Sequence, residues 1–457
     1  MSISTAIEVL SPVLGERLSR SKSDLDLHGR SETHFPLTPP DAVAYPETTA
    51  EVQAILQACH AHDCPVVGWG TGTSLEGHAL ALNGGVVVDF SRMNKILAVR
   101  AEDMDVTVQP GITREALNRD LRATGLFFPV DPGANASLGG MAMTRASGTT
   151  AVRYGTMRDN VMGCEVVLAD GRIIRTGTRA RKTSAGYDLT ALFVGSEGTL
   201  GLVTELTLRL HGIPEATSAG ICAFPDMTSA VAAVTETIQM GIPMARIEFA
   251  DAATAQAFNA YAGSDMAIAP HLMVEFHGSV ESVAQDSQRF ANIVADHGGS
   301  EFRWSTREED RRALWAMRHN GYYAVLALRP GARALVTDIC VPISQLARAV
   351  EETQNDIAAT PLMGPILGHV GDGNFHAILL VHPDLPEELE TAKRLADRMA
   401  DRALRLGGTT TGEHGIGVGK IALMQAEHGP AWDVMGAIKS ALDPKNIMNP
   451  GKTVLPK

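Results

Sequence analysis

The sequence predicts an α+β protein with more than one folded unit, and three observations carry that reading. Short β-type runs punctuated by glycine fill residues 38 to 210, long helical segments alternate with strands from about 216 to 420, and 457 residues exceed what one hydrophobic core serves. In the first zone CPVVGW, GGVVVDF, MDVTVQP, CEVVLAD and LGLVTELTLRL read as strands. Between them AEVQAILQACHAH reads as a helix with an apolar stripe at Val52, Ile55, Leu56 and Cys59, and PETTAEV supplies a capping threonine before it. Pro214, after LRLHGI, makes a boundary.

In the second zone DMTSAVAAVTETIQMG, ESVAQDSQRFANIVADHGG and ELETAKRLADRMADRALRLGG read as helices, the last two ending in Gly-Gly, where a left-handed cap costs little. HLMVEFHG, ARALVTDICVPIS and GPILGHV…NFHAILLV read as strands, so two strand-and-helix repeats predict an antiparallel sheet with helices on one face. A helical tail from about Leu423 closes on LDPKNIMNPGK. The expected division is 1–215, 216–422 and a tail, 423–457, that returns to the first domain.

Composition excludes several classes of function. Hydrophobic residues at 45% and charged residues at 20% are ordinary for a globular chain. A net charge of -13 argues against a nucleic-acid partner, which needs clustered Lys and Arg. Cys59, Cys64, Cys164, Cys222 and Cys340 form no C-x-x-C pair, which argues against an iron-sulfur cluster and against a disulfide frame. No apolar span approaches the ~20 residues of a membrane helix, and the N-terminus has no basic start followed by an apolar core. The expected location is cytoplasmic, with peripheral association to an inner membrane left open and a homodimer compatible with the sequence.

The stretch PVVGWGTGTSLEGHA places Gly68, Gly70 and Gly72 after a strand, with hydroxyls at Thr71, Thr73 and Ser74. Backbone amides in such a loop can converge on a phosphate. A G-x-G-x-x-G dinucleotide fingerprint fails, because Leu75 stands where its third glycine belongs and LEGHALALN is too short and turn-rich for a crossover helix, although Asp89 ends a strand where a ribose-binding acid would lie. From this loop alone, a glycine-rich surface turn is an equal reading. A second cluster, FFPVDPGANASLGGMAMTRASGTTAVRYGTMRDNV at 127 to 161, has few strong core residues and reads as a long functional loop. GSEGTLGLVTEL, 195 to 206, could close the wall of the same site.

Taken in order, WGTGTSLEGH, DPGANASLGGM, YGTMRDNV and GSEGTLG closely resemble flavoproteins of the vanillyl-alcohol oxidase type, and within them the cytochrome-type D-lactate dehydrogenase and glycolate oxidase branch. The resemblance spans nearly the whole chain. It implies a two-subdomain FAD-binding fold followed by an α+β substrate, or cap, domain with an antiparallel sheet. It places FAD on Trp69, Gly70, Thr71, Gly72, Thr73, Ser74, Gly77 and His78, on Pro132, Gly133, Ser137, Gly139, Gly140, Thr144, Ser147 and Gly148, and on Gly198 and Val203. Relatives that bind flavin covalently commonly carry a histidine in the first loop. Thr73 stands at about that place, so the expected FAD is non-covalent.

GPILGHVGDGNFHAILL, 364 to 380, sets two imidazoles about an Asp-Gly turn. Symmetric pairing about Asp372-Gly373 puts Gly371 opposite Asn374, Val370 opposite Phe375 and His369 opposite His376. Opposed side chains lie roughly 4.5 to 5.5 Å apart at Cβ, close enough to share one cation. TTTGEHGIG, 409 to 417, offers Glu413 as a third ligand and His414 as a neighbouring proton carrier. The resemblance implies that H-x-G-D-G-N-x-H and G-E-H-G are metal and base motifs.

On WAMRHNGYYA, Trp315, Arg318 and Tyr322 fall on neighbouring turns of one expected helix. Arg318 alone would be an ordinary solvated charge, and the resemblance implies that it binds a substrate carboxylate, with Arg333 a weaker second candidate. The expected reaction is oxidation of a small D-2-hydroxy acid, D-lactate first, to the 2-oxo acid. His414 is expected as base, Asn374 as a hydrogen-bonding partner of the substrate, and FAD and one zinc or manganese ion as cofactors. Electrons would pass to a cytochrome, a quinone or an electron-transfer flavoprotein. D-2-hydroxyglutarate or glycolate oxidation, an FAD-binding subunit of a larger oxidase, and a flavin-free metal hydrolase are the rivals.

Overall fold

The structure, a computed structural model, describes residues 2–456. The chain divides into two compact units: Met1–Ser147, Gly155–Ile213 and Glu413–Lys457 form the first, and Gly148–Tyr154 with Pro214–Gly412 the second. The boundary expected at 422 therefore falls after Gly412, because the first unit's Glu197 binds the backbone of Ile416 and Gly417. Gly148–Tyr154 leaves the first unit because Arg153 Nη1 donates to Pro243 O at 2.9 Å and Tyr154 OH meets His277 Nδ1 at 2.7 Å.

In the first unit α1 (Ile3–Leu14) precedes β1 (Leu18–Ser19), β2 (Ala42–Ala44), α2 (Thr49–Ala61), β3 (Val66–Trp69) and β4 (Val86–Asp89). The four strands pair in the order β1-β2-β4-β3, with β2, β4 and β3 parallel. The stripe Val52, Ile55, Leu56 and Cys59 of α2 is buried, and Thr48 caps the helix by accepting Glu51 N–H. Asp89 spends its carboxylate on His28 Nε2 at 2.9 Å and Ser91 N–H at 2.7 Å rather than offering it to a ribose.

A second sheet of this unit is antiparallel. It contains β5 (Ile96–Arg100), β6 (Asp105–Val108), β8 (Val161–Val167), β9 (Ile173–Gly177) and β10 (Leu202–Arg209) in the order β5-β6-β10-β8-β9, while β7 (Leu126–Phe127) pairs β11 (His211–Gly212). The stretch expected as a core-poor loop holds α3 (Leu138–Thr144), whose Leu138, Met141 and Ala142 join the core. Small residues permit this packing: a Cβ on Gly139 would stand 2.5 Å from Pro110 Cβ.

The second unit is built on one sheet. Its strands are β12 (Ala216–Ala223), β13 (Met244–Ala250), β14 (His271–Gly278), β15 (Arg303–Ser305), β16 (Arg333–Val336), β17 (Ile339–Cys340), β18 (Ile366–His369) and β19 (Asn374–Val381). They run β15-β12-β14-β13-β18-β19-β16, with β17 also on β19, and every pairing is antiparallel.

Helices cover both faces of this sheet, not one. On one face Ile247, Phe249, Val274, Phe276, Val370 and Phe375 pack against α4 (Met227–Gln239), α6 (Val280–Asp296), α9 (Leu346–Ala358) and α10 (Pro386–Arg405). On the other, Ala250, Met273 and Leu367 meet α5 (Ala252–Ala262), α7 (Glu308–His319) and α8 (Gly321–Ala327). Alternation along β13 makes this two-sided burial possible. The helix expected across 315 to 324 breaks at Asn320 into α7 and α8. No helix among the described residues is long and apolar enough to cross a membrane.

Candidate active site

β18 and β19 carry the histidines of the second unit. Their register sets His369 opposite Asn374 and Leu367 opposite His376, a shift of two from the expected pairing. The turn takes four residues, 370–373, closed by Asp372 N–H to His369 O at 3.0 Å and Gly373 N–H to Val370 O at 3.3 Å. A shift by two conserves the face, so both imidazoles still project together, their ring centroids 5.6 Å apart.

Each ring is oriented through Nδ1. His369 Nδ1 donates to Glu248 Oε1 at 2.6 Å and His376 Nδ1 to Thr337 O at 3.1 Å. Ligand atoms of the two side chains lie within 4.8 Å of each other. Glu248, 0% exposed, stands beside His369 across the β13–β18 pair, and its second oxygen holds Arg318 Nη2 at 2.6 Å. Asp338 Oδ1 accepts from Asn374 Nδ2 at 2.7 Å, and its Oδ2 accepts from Thr411 O–H at 2.6 Å and Gly412 N–H at 2.9 Å.

Arg318 Nε and Asn374 Oδ1 are among the buried polar atoms of the described residues that have no hydrogen-bond partner. Arg318 is thus not the solvated charge its type suggests, but a buried guanidinium shared with Glu248. Arg333 lies exposed at the start of β16. Glu413 and His414 follow Gly412 in the chain and open the last piece of the first unit.

Alongside this lies a second polar string on the same sheet face. Trp315 Nε1 donates to Glu275 Oε2 at 2.5 Å, His277 Nε2 meets Glu275 Oε1 at 2.7 Å, and Arg246 sits 4.8 Å from the Trp315 ring centroid. Burial pushes the Glu275 carboxyl up, but Arg246 and His277 outweigh it and hold it below the usual range.

In the first unit the glycine segments converge. A Cβ on Gly70 would stand 2.2 Å from Ser137 Oγ, and Ser137 caps α3 by accepting Gly140 N–H at 3.4 Å. Trp69 ends β3, Thr71 and Thr73 hydroxyls pair at 3.2 Å, and Gly72 and Gly77 have φ of 72° and 74°. Ser74 is half-buried and His78 buried. Pro132 and Gly133 precede α3, and a Cβ on Gly133 or Gly198 would meet open space. Thr144 returns its hydroxyl to Gly140 O at 3.2 Å, and Val203 is a core residue of β10. Ser147 closes this stretch of the first unit, whereas Gly148 belongs to the second.

Sequence profiles for "FAD linked oxidases, C-terminal domain" and "FAD binding domain" match residues 213–453 and 40–177. The chain belongs to the FAD-linked oxidases. Among relatives of this FAD-linked oxidase, a probable mitochondrial D-lactate dehydrogenase of Danio rerio is 49% identical over 96% of this chain and 89% of its own length. The mitochondrial D-lactate dehydrogenase [cytochrome] of Arabidopsis thaliana is 42% identical over 98% and 80%. Glycolate oxidase subunit GlcD of Bacillus subtilis is 37% identical over 90% and 88%. Substrate-bound p-cresol methylhydroxylase shares the fold with a TM-score of 0.81 at 18% identity, covering 99% of this chain and 97% of that one.

The expectation of a cytoplasmic location is corrected by these relatives, several of which are named as mitochondrial proteins. FAD suits the first unit of this oxidase: the backbone at Gly133 and Gly198 faces space that a Cβ would fill, and the close packing of Gly70 on Ser137 admits no side chain in the first loop. A divalent cation suits the second, where ligand atoms of two imidazoles lie within 4.8 Å of one another and the buried carboxylates of Glu248 and Asp338 stand behind them.

Four carboxylates that organise these units were missed by the sequence reading: Glu197, Glu248, Glu275 and Asp338. The last three had a signal, since each is an acid inside a mostly apolar strand or strand end, ARIEFA, LMVEFH and LVTDIC. A buried acid needs a partner of its own.

Proposed function

We propose that the chain is an FAD- and divalent-metal-dependent dehydrogenase that oxidises D-lactate to the 2-oxo acid and passes electrons to an external acceptor. The observation that carries this reading is the pair His369 and His376, each tied through Nδ1 and with ligand atoms within 4.8 Å of one another, beside an Asn374 whose Oδ1 is buried and unpaired. D-lactate is favoured by the names of the relatives matched along most of the chain.

His369, His376 and Glu413 would hold a zinc or manganese ion, and the glycine segments of the first unit would hold FAD without a covalent link. When bound, FAD supplies the hydride acceptor and the cation a positive charge that eases deprotonation of the substrate hydroxyl. Arg318 would offer Nε to the substrate carboxylate while Glu248 holds its Nη2, so the guanidinium is oriented before substrate arrives. Asn374 is anchored through Nδ2 to Asp338 and Ile339 O, and its Oδ1 accepts the substrate hydroxyl before that proton leaves. His414 accepts the proton as general base.

Three measurements test the reading. His414→Ala should retain flavin absorbance and metal while substrate reduction of the flavin falls by about 10²- to 10⁴-fold; normal single-turnover reduction would remove the base assignment. Chelation should abolish reduction and leave the flavin bound. A stopped-flow panel of D- and L-hydroxy acids separates D-lactate from glycolate, the second reading, which the Bacillus subtilis relative favours. Faster reduction by glycolate or an L-acid would overturn D-lactate.

A further inference from the structure

The loop that follows His414 is held by one buried side chain of the first unit. Glu197, 6% exposed and at a φ of 54°, sends Oε1 to Ile416 N–H at 2.7 Å and Oε2 to Gly417 N–H at 2.8 Å. Two consecutive amides on the two oxygens of one carboxylate fix both the position and the tilt of the peptide between them. The same Oε2 accepts the Thr453 hydroxyl and lies 3.3 Å from His78 Nε2. Glu197 is thus enclosed by its first-loop, C-terminal and GEHG-loop neighbours.

The surroundings leave this carboxylate little freedom. Asn449 Nδ2 donates to Glu197 O at 2.7 Å and His78 O at 3.1 Å, and Glu197 N–H donates to Met143 O at 3.0 Å. Gly415, at a φ of 80°, passes so close that a Cβ there would stand 2.7 Å from both Glu197 Oε1 and His78 Nε2. Val418 N–H to Glu76 O at 2.8 Å and Thr453 N–H to Gly417 O at 3.0 Å secure the next residues. His414 is one residue before this clamped stretch, so its backbone direction is inherited from it.

We infer that Glu197, steadied by His78 and Thr453, is a positioning residue that sets where the 415–417 backbone presents His414 to the substrate hydroxyl. The inference rests on His414 being the base, as proposed above. Glu197 touches no reacting atom in this scheme; its effect passes through two peptide N–H groups. Loss of one acceptor oxygen lets the loop tilt, and misplacement of a reacting group by about 1 Å can cost on the order of 10²-fold in rate.

The experiment compares the FAD- and metal-loaded wild type with Glu197→Gln, Thr453→Ser, Thr453→Val and His414→Ala. Amide hydrogen exchange is read at Ile416 and Gly417, and stopped-flow flavin reduction by D-lactate is normalised to bound flavin in H₂O and D₂O. Glu197→Gln should raise exchange at both amides by about tenfold or more. Its reduction rate should fall by about 10- to 100-fold, with a larger solvent isotope effect as proton transfer becomes limiting. Thr453→Val should follow in the same direction and Thr453→Ser should restore the wild-type values, a pair that keeps the inference testable should Glu197→Gln fail to fold. Looser amides with an unchanged rate and isotope effect, or unchanged amides in both Glu197→Gln and Thr453→Val, would overturn the positioning role. Normal reduction in His414→Ala would instead remove the base assignment, and the inference with it, whatever the Glu197 variants do.

Discussion

Glu248 sits where two functions meet, with one oxygen on His369 and the other on Arg318 and no exposure to solvent. Removing its charge leaves a buried guanidinium without its counter-ion and frees the imidazole to turn. Glu248→Gln should therefore weaken metal affinity by about 10- to 100-fold in a chelator competition and raise the KM for the hydroxy acid. Unchanged values for both would separate Glu248 from the site. Glu197 gives a pH signature: burial pushes its carboxyl up, but His78, the Ile416 amide and Thr453 outweigh that and hold it below its ordinary 4.5. A depressed carboxylate contributes stability above its unfolded value and loses it as pH falls through the folded one. The gap in urea-unfolding stability between wild type and Glu197→Gln should be widest at neutral pH and close below pH 4.5. Lys452 gives a pH slope of the same sign in a higher window, since burial brings its ammonium down from 10.5 to about 7. Above pH 7 the unfolded chain binds the extra proton, so the cost of burying this ammonium is relieved progressively as pH rises towards 10.5.

At the scale of elements, the β18–β19 hairpin decides where the histidines and Asn374 sit. Its expected two-residue turn is a four-residue one, because Gly373 at a φ of 76° bends the chain against β17 and Val341 N–H donates to Gly373 O at 3.0 Å. A Cβ at Gly373 would stand 2.0 Å from Val341 O. Gly373→Ala should cost about 1–3 kcal/mol of stability and lower activity per bound flavin by displacing Asn374; a wild-type urea midpoint would refute this. The face shared by His369 and His376 was legible because alternation is strict, whereas the register depended on contacts with β17 that no local pattern encodes. Likewise α7 and α8 read as one helix, since no proline or strong cap marks Asn320. The break lets α7 direct Trp315 to Glu275 and Arg318 to Glu248 before the chain turns.

For the whole molecule, burial governs thiol chemistry. Cys59, Cys64, Cys164 and Cys222 are buried, and burial pushes the Cys164 and Cys222 thiols up to about 12, while Cys340 is partly exposed. A thiol reagent on the native protein should modify one cysteine, Cys340, and all five after unfolding. Rapid native labelling of a second would contradict the described packing. The strands of the first unit, the capped α2 and the glycine segments could be read from sequence because they are set by periodicity, capping and turn chemistry within a few residues. FAD binding was legible through motif order over the whole chain. What the tertiary structure alone decided is which charge meets which: Arg318 with Glu248, Asn374 with Asp338, and Glu197 with a loop more than two hundred residues away. Local sequence fixes a side chain's face, but an ion pair or a clamped peptide depends on two distant segments arriving at one place, and only the packed fold brings them there.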